Sequence, residues 1–241
     1  MTHYVSEGSG RTVIILHGWG DNVVGWVQFI DKLAKQYRVV ALDLPGFGKT
    51  QAPKTAWGLD EYASFVAAFV QKTELEPWAI VGHSNGGAIA LRGLGSGKLH
   101  TERLVLLASA GIRNEHMGRS KVLGVFTKLG KLIMSPLPQT TKKKIQQKVY
   151  TLVGSDMLVA ENLQETFKKI IVDDVRSDAK NIKIPTLLVY GQDDTSTPAR
   201  YGKILHGLLA DSRLDILPQA GHFVHLDQPD KTLEMMKDFL Q

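Results

Sequence analysis

Six short apolar runs, most of them separated by segments long enough for a helix, constrain the fold of this chain. The runs are rich in β-branched residues and lack strict alternation, as strands buried on both faces of a parallel sheet require. They lie at 12–16, 37–42, 78–81, 104–108, 186–190 and 214–217. Residues 4–7 could add an edge strand, and 60–71 has the period of an amphipathic helix with Asp60 as its N-cap. The sequence therefore predicts an α/β fold with a mostly parallel central sheet flanked by helices.

The stretch AIVGHSNGGAIAL, residues 79–91, places a serine between glycines where a predicted strand gives way to a helix. A side chain at such a turn lies at the carboxyl end of the sheet, where ligands bind in open α/β folds. Gly82 and Gly86, two positions either side of Ser84, would let strand and helix pass closely. The GxSxG pattern alone fits a structural turn as well as a catalytic one.

A catalytic serine needs partners, because its hydroxyl is a poor nucleophile at neutral pH. An adjacent imidazole must take the proton, and a carboxylate must orient that imidazole. Two histidines, His222 and His225, and two aspartates, Asp193 and Asp194, are candidates in the C-terminal part of the chain.

The positive charge of the chain is confined to one segment. Residues 111–150 hold nine Lys or Arg and one acid, whereas the other 201 residues hold 20 basic and 23 acidic side chains. This uneven charge argues against a nucleic-acid partner for the protein as a whole and indicates a segment with its own surface.

Several other classes of site are disfavoured. The chain has no cysteine, so disulfides and thiolate zinc sites are not available, and its eight histidines form no metal-binding motif. The DLPGFGKT stretch lacks the phosphate-binding pattern, which needs glycine where Asp43 stands. We expect no cofactor. The absence of a signal-peptide pattern or a long apolar run predicts a soluble, cytoplasmic protein.

Four separated motifs carry a resemblance to a known family over nearly the whole chain. They are LHGWG (16–20), DLPGFGKT (43–50), GHSNGG (82–87) and the C-terminal pair YGQDDTSTP and AGHFVHLDQPD. Each follows a predicted strand in the order that the fold demands. The sequence thus resembles the α/β-hydrolase superfamily, in the branch of small cap-bearing serine hydrolases that includes esterases and C–C hydrolases.

The resemblance implies a set of site residues. Ser84 would be the nucleophile, His222 the base and Asp194 the acid, in the chain order of the family. The backbone N–H groups of Trp19 and Asn85 would form the oxyanion hole. His225 and Asp193 remain rivals for base and acid, although structural roles suit them better, and His17 is interpreted as a structural residue of its turn.

The resemblance also implies a domain division. Residues 1–110 and 182–241 would form the core, and residues 111–181 an inserted helical cap. Within the cap, 121–133 has an apolar face with lysines elsewhere. Its lysines could be merely solvated, could bind anionic lipid, or could attract an acidic substrate or an acidic carrier protein.

The function expected from these features is hydrolysis of a small carboxylic ester or related acyl compound through an acyl-enzyme. A first alternative is a C–C bond hydrolase, or a lyase or synthase of the same fold. A second alternative is a non-catalytic ligand-binding receptor, against which the complete set of triad candidates argues, because a binder needs no orienting acid.

Overall fold

The computed structural model describes residues 1–113 and 161–241. Its strands are β1 Tyr4–Glu7, β2 Thr12–Leu16, β3 Arg38–Leu42, β4 Pro77–His83, β5 Arg103–Leu107, β6 Thr186–Gly191 and β7 Ser212–Leu217. Its α-helices are α1 Val27–Leu33, α2 Leu59–Lys72, α3 Asn85–Gly95, α4 Glu161–Ile170, α5 Arg176–Asn181, α6 Ala199–His206, α7 Val224–Asp227 and α8 Pro229–Phe239, and a short 3₁₀ helix covers Val23–Trp26.

The seven strands form one sheet in the order β1-β3-β2-β4-β5-β6-β7. Only β1 runs antiparallel to its neighbour, β3, and the other pairings are parallel. The predicted α/β class, the mostly parallel sheet and the edge strand are therefore confirmed. The carboxyl ends of β4, β6 and β7 lie at one edge of the sheet, so the loops that follow these strands meet there.

Both faces of the sheet are covered by helices. Along β2, Ile14 and Leu16 face one apolar cluster, which includes side chains of α2 and α3. Val13 and Ile15 face the opposite cluster, which includes side chains of α1 and α8. Since successive side chains of a strand point to opposite faces, a strand buried on both sides must be apolar throughout. This explains why the strands read as continuous apolar runs.

Helix α2 begins one residue before the prediction, and the predicted N-cap is wrong. The N-cap is Gly58, whose N–H donates to Glu61 Oε2 at 2.7 Å. Asp60 lies inside the first turn, and its carboxylate accepts a hydrogen bond from Arg92 of α3 at 2.7 Å. An acidic residue in the first turn suits the helix dipole as well as a cap would, so the sequence pattern did not distinguish the two positions.

The chain between β5 and β6 corresponds to the predicted cap. Residues 114–160, which hold most of the basic segment and the predicted amphipathic stretch 121–133, lie outside the described residues, so the division at 111–181 stays a prediction. The described remainder consists of α4 and α5. Thr166 of α4 accepts a hydrogen bond from the backbone N–H of Trp57 at 3.0 Å, which ties α4 to the core.

Helix α5 is joined to α3 by an ion pair. Arg92 Nε donates to Asp178 Oδ2 at 2.9 Å, and the side chains of both residues are largely buried. The helix that follows Ser84 is therefore anchored to the chain that returns from the insertion to β6.

Within the two described ranges, no helix is both long enough and apolar enough to cross a membrane.

Candidate active site

Ser84 occupies a strained turn between β4 and α3. Its φ is +50° and its ψ −115°, a combination that residues other than glycine rarely adopt. The turn is held on both sides, because the N–H of Ser84 donates to Leu107 O at 3.0 Å and its carbonyl accepts from Ala88 N at 3.2 Å. This geometry lifts the side chain out of the strand at the carboxyl edge of the sheet.

The two glycines that flank Ser84 are required by close backbone approaches. A Cβ on Gly82 would lie 2.6 Å from the Cα of Gly87, and a Cβ on Gly86 would lie 2.1 Å from the carbonyl oxygen of Leu16. Both distances are far below van der Waals contact, so the structure has the crowding that the sequence pattern predicts at these glycines.

The structure brings the three predicted triad side chains together from three separate loops. His222 Nε2 lies 3.0 Å from Ser84 Oγ, and His222 Nδ1 lies 2.9 Å from Asp194 Oδ2. With the proton on Nδ1, the ring donates to the carboxylate, and its Nε2 lone pair is left to accept the hydroxyl proton of Ser84. This is the geometry that general-base activation of a serine requires.

Asp194 is buried and held as a carboxylate. One oxygen, Oδ1, accepts the N–H groups of Ser196 at 2.7 Å and Thr197 at 3.0 Å, and the other faces His222. Burial alone would raise the pKa of Asp194, but hydrogen bonding and charge attraction from His222, with the bonds from Thr197, outweigh it and lower the pKa. The residue therefore stays negative beside the imidazole.

The alternative candidates for acid and base, Asp193 and His225, form no hydrogen bond with Ser84 in the described structure. Asp193 is exposed, and its backbone N–H donates to Ala220 O. His225 is 1% exposed and stacks on Trp26 at 4.2 Å between ring centroids. Neither ring nitrogen of His225 has a hydrogen-bond partner among the described residues. The geometry thus favours His222 and Asp194 over His225 and Asp193.

The loop after β2 packs against Ser84. A Cβ on Gly18 would lie 3.2 Å from the Cβ of Ser84, so this loop touches the nucleophile. His17 Nδ1 donates to Gly18 O at 2.7 Å, and His17 Nε2 accepts the N–H of Leu44 at 2.9 Å. Because a trans peptide points its C=O and N–H in opposite directions, His17 fixes the direction of the Trp19 N–H. This matches the structural role predicted for His17.

Two residues at the site were missed by the sequence analysis. Thr197 Oγ1 lies 2.7 Å from Asp194 Oδ2 and 3.0 Å from His222 Nδ1, so its hydroxyl braces both partners. His83 Nε2 lies 3.0 Å from the carbonyl oxygen of His222 and joins the end of β4 to the loop that carries the candidate base. The only signals were their positions, three residues after Asp194 and directly before Ser84.

The side chain of Trp19, in the loop after β2, is part of an aromatic wall. The ring of Trp19 contacts Phe47 at 4.9 Å and Phe167 of α4 at 5.1 Å between centroids. The wall therefore combines residues of the core and of the insertion.

The DLPGFGKT loop is a structural turn. Asp43 Oδ1 accepts the N–H of Val23, and Asp43 Oδ2 accepts the N–H of Lys49, both at 2.8 Å. An acidic side chain at its centre would repel a phosphate. In the parts of the chain that the structure describes, no group of three or more His, Asp or Glu side chains is arranged to hold a metal ion.

The stability of the protein should fall in acid because two buried histidines near the site lack charge. Burial, aided by the neighbouring His222, lowers the pKa of His225 from 6.5 to about 3, and burial also lowers the pKa of His83 well below 6.5. Below pH 6.5 the unfolded chain binds protons at these rings and the folded chain does not, so the free energy of unfolding decreases as pH falls. One such group accounts for about 2 kcal/mol between pH 6.5 and about pH 5.

Urea unfolding at about pH 7 and pH 5 measures this loss. A His225→Phe variant keeps a ring against Trp26 and should lose less stability over the interval than the wild type. Replacing the exposed His100 with Asn is the matched control for loss of an imidazole at the surface. An equal loss in the wild type and His225→Phe would contradict the prediction.

Comparisons with known proteins agree with this architecture. Residues 11–129 match a sequence profile of the family described as alpha/beta hydrolase fold. A 2-hydroxy-6-oxo-6-(2'-aminophenyl)hexa-2,4-dienoic acid hydrolase of Metapseudomonas resinovorans is 29% identical over an alignment of 260 positions, which covers 99% of this chain and 87% of that protein. A 2-hydroxy-6-oxo-2,4-heptadienoate hydrolase of Pseudomonas putida is 26% identical over an alignment of 257 positions, which covers 99% of this chain and 92% of that protein.

A solved structure gives the same picture at the level of the fold. The esterase of Exiguobacterium antarcticum superposes with a TM-score of 0.80 at 24% identity, covering 99% of this chain and 95% of the esterase.

Proposed function

Since this chain belongs to the α/β-hydrolase superfamily, we propose that it is a serine hydrolase that cleaves a small carboxylic ester or related acyl compound. The observation that carries the proposal is the line of contacts from Ser84 Oγ through His222 to Asp194, with distances of 3.0 and 2.9 Å. A protein that only binds a ligand needs no such line, because nothing has to be deprotonated.

In the first half of the reaction, Ser84 Oγ attacks the ester carbonyl carbon while its proton passes to His222 Nε2. The imidazolium that forms is stabilised by the carboxylate of Asp194. His222 then gives this proton to the alcohol oxygen as the bond between carbon and that oxygen breaks. The acyl group remains on Ser84 as an ester.

In the second half, water takes the place of the alcohol. His222 removes a proton from the water as its oxygen attacks the acyl carbon, and returns that proton to Ser84 Oγ when the acid leaves. Both tetrahedral intermediates carry a negative oxygen. In this proposal the N–H groups of Trp19 and Asn85 donate to it, and each such donor is typically worth about 3 kcal/mol.

A second candidate is hydrolysis of a carbon–carbon bond. It is favoured by the two relatives named as hydrolases of 2-hydroxy-6-oxo-dienoates, which match 99% of this chain. In that reaction the leaving group is a carbon atom that must be protonated before or as the bond breaks. The same serine, imidazole and oxyanion donors would serve, so substrates rather than triad mutants separate the two functions.

The test combines active-site labelling with two substrate panels. A fluorophosphonate should modify Ser84, as read by peptide mass spectrometry. The wild type should hydrolyse p-nitrophenyl esters from acetate to octanoate, and the Ser84→Ala variant should not. Equal rates in the two proteins would overturn the proposal. Turnover of 2-hydroxy-6-oxo-dienoates with barely any ester hydrolysis would instead establish the second candidate.

A further inference from the structure

The side chain of Asn85 is a buried amide without a hydrogen-bond partner. Its residue is 3% exposed, and neither Oδ1 nor Nδ2 is bonded to any atom of the described residues. Native proteins pair nearly all buried polar groups, because an unpaired one forfeits its bonds to water. Because this unpaired amide belongs to the residue next to the candidate nucleophile, we look for its hydrogen-bond partner on the substrate.

The geometry of α3 gives the direction of this amide. Asn85 is the first residue of the helix, and the Cα–Cβ bonds of a helix lean towards its N-terminus. Beyond that end lie Ser84 and the carboxyl edge of the sheet, where His222 Nε2 reaches Ser84 Oγ. Consecutive Cα atoms are about 3.8 Å apart, so the amide is attached to the backbone within one residue of the nucleophile.

The face of α3 that carries Asn85 also faces the insertion. Asn85, Ala88 and Arg92 are spaced i, i+3 and i+7 and so share one side of the helix. A Cβ on Gly111, just after β5, would lie 3.2 Å from Ala88 Cβ, and Arg92 binds Asp178 of α5. Asn85 therefore stands between the nucleophile and the base of the insertion.

A second buried donor lies on the loop opposite. Trp19 Nε1 also has no hydrogen-bond partner in the described part of the chain, although its ring is packed between Phe47 and Phe167. Unpaired donors thus occur on both segments next to Ser84, the start of α3 and the loop after β2. A purely aliphatic acyl group would leave both of them unpaired when it excludes water.

We propose that the side-chain amide of Asn85 selects substrates whose acyl group carries an oxygen acceptor, an ether or a ketone, close to the carbonyl that Ser84 attacks. The oxygen accepts a hydrogen bond from Nδ2, while the backbone N–H of the same residue serves the oxyanion. The proposal rests on the serine-hydrolase function proposed above. It makes Asn85 a determinant of specificity through its side chain as well as of rate through its backbone.

The experiment compares p-nitrophenyl esters that differ by a single oxygen. One pair is methoxyacetate and butanoate, and the other is 4-oxopentanoate and 4-methylpentanoate. The quantity measured is the ratio of kcat/KM within each pair. Differences in chemical reactivity between the two esters cancel when this ratio is compared between the wild type and a variant. A loss of activity that the substitution causes equally for both esters cancels as well.

In Asn85→Leu, a variant of similar volume without the amide, the preference for the oxygenated member should fall at least tenfold in one or both pairs. Asn85→Gln keeps an amide and should retain part of the preference. Asn85→Ala provides a second variant if leucine does not fit. A structural role alone would lower both kcat/KM values and leave the ratio unchanged.

The outcomes separate the two proposals. If the wild type hydrolyses the esters and the ratios in Asn85→Leu and Asn85→Ala stay within twofold of the wild type, the role of Asn85 is overturned and the hydrolase function stands. If the wild type hydrolyses none of the four esters, both proposals fall.

Discussion

Replacing His222 with alanine is expected to lower kcat/KM for the preferred ester by at least about 10⁴-fold, with little change in stability. His222 is the only imidazole among the described residues that contacts Ser84 Oγ, at 3.0 Å, so its loss leaves the hydroxyl without a base. Removing a base of this kind costs several orders of magnitude in kcat, because the remaining groups only bind substrate and oxyanion. Steady-state kinetics measures the effect, and circular dichroism checks the fold.

The rival residues provide matched controls. His225→Phe removes the neighbouring imidazole, which stacks on Trp26 and is not bonded to Ser84, and it should keep kcat/KM within a few-fold of the wild type. Asp194→Asn should cost orders of magnitude and Asp193→Asn very little, since only Asp194 bonds to His222. A His225→Phe variant as inactive as His222→Ala would mean that the base has been assigned to the wrong ring.

Replacing Gly86 with alanine is expected to destabilise the protein by about 3 kcal/mol or more, or to prevent folding. The new Cβ would lie 2.1 Å from Leu16 O and 2.6 Å from His17 O. Both are backbone atoms of the central strand β2 and the loop after it, so they cannot move aside as the end of a flexible side chain could. The first turn of α3 would have to shift away from the sheet and take Ser84 with it.

Gly207→Ala is the control for that substitution. Gly207 has a φ of −72° at the end of α6, and the nearest atoms to its added Cβ lie at 3.6 Å. An alanine that fits without strain reduces the freedom of the unfolded chain and stabilises by about 0.4 to 1 kcal/mol. Urea unfolding of both variants gives the comparison, and a Gly86→Ala variant as stable as Gly207→Ala would refute the steric argument.

The strands were predictable because burial on both faces demands continuous apolar residues, which the sequence displays directly. The limit of that signal is visible at β7, which starts at Ser212, two residues before the predicted run. An edge strand is only half-buried, and it tolerates Arg213 and Asp215 within it. A search for apolar runs finds only the more apolar end of such a strand.

At the site, the positions fixed by local backbone chemistry were predictable and the contacts between distant segments were not. The glycines around Ser84 reveal the turn, because only small residues permit the close approach. Thr197 gave no comparable signal, since its role depends on contacts with Ala108 and His222, which the chain brings together only on folding. The bond from His83 to the His222 carbonyl spans 139 positions and was equally hidden.

The meeting of Trp19 with Phe167 has a consequence for how such a protein can diverge. The proposed reacting groups all come from loops of the sheet, whereas Phe167 belongs to the insertion and only shapes the adjoining wall. Substitutions in α4 can therefore alter which molecules fit while the proton-transfer machinery is inherited unchanged. Selection can act on substrate choice and on chemistry separately, because they are encoded in different stretches of the gene.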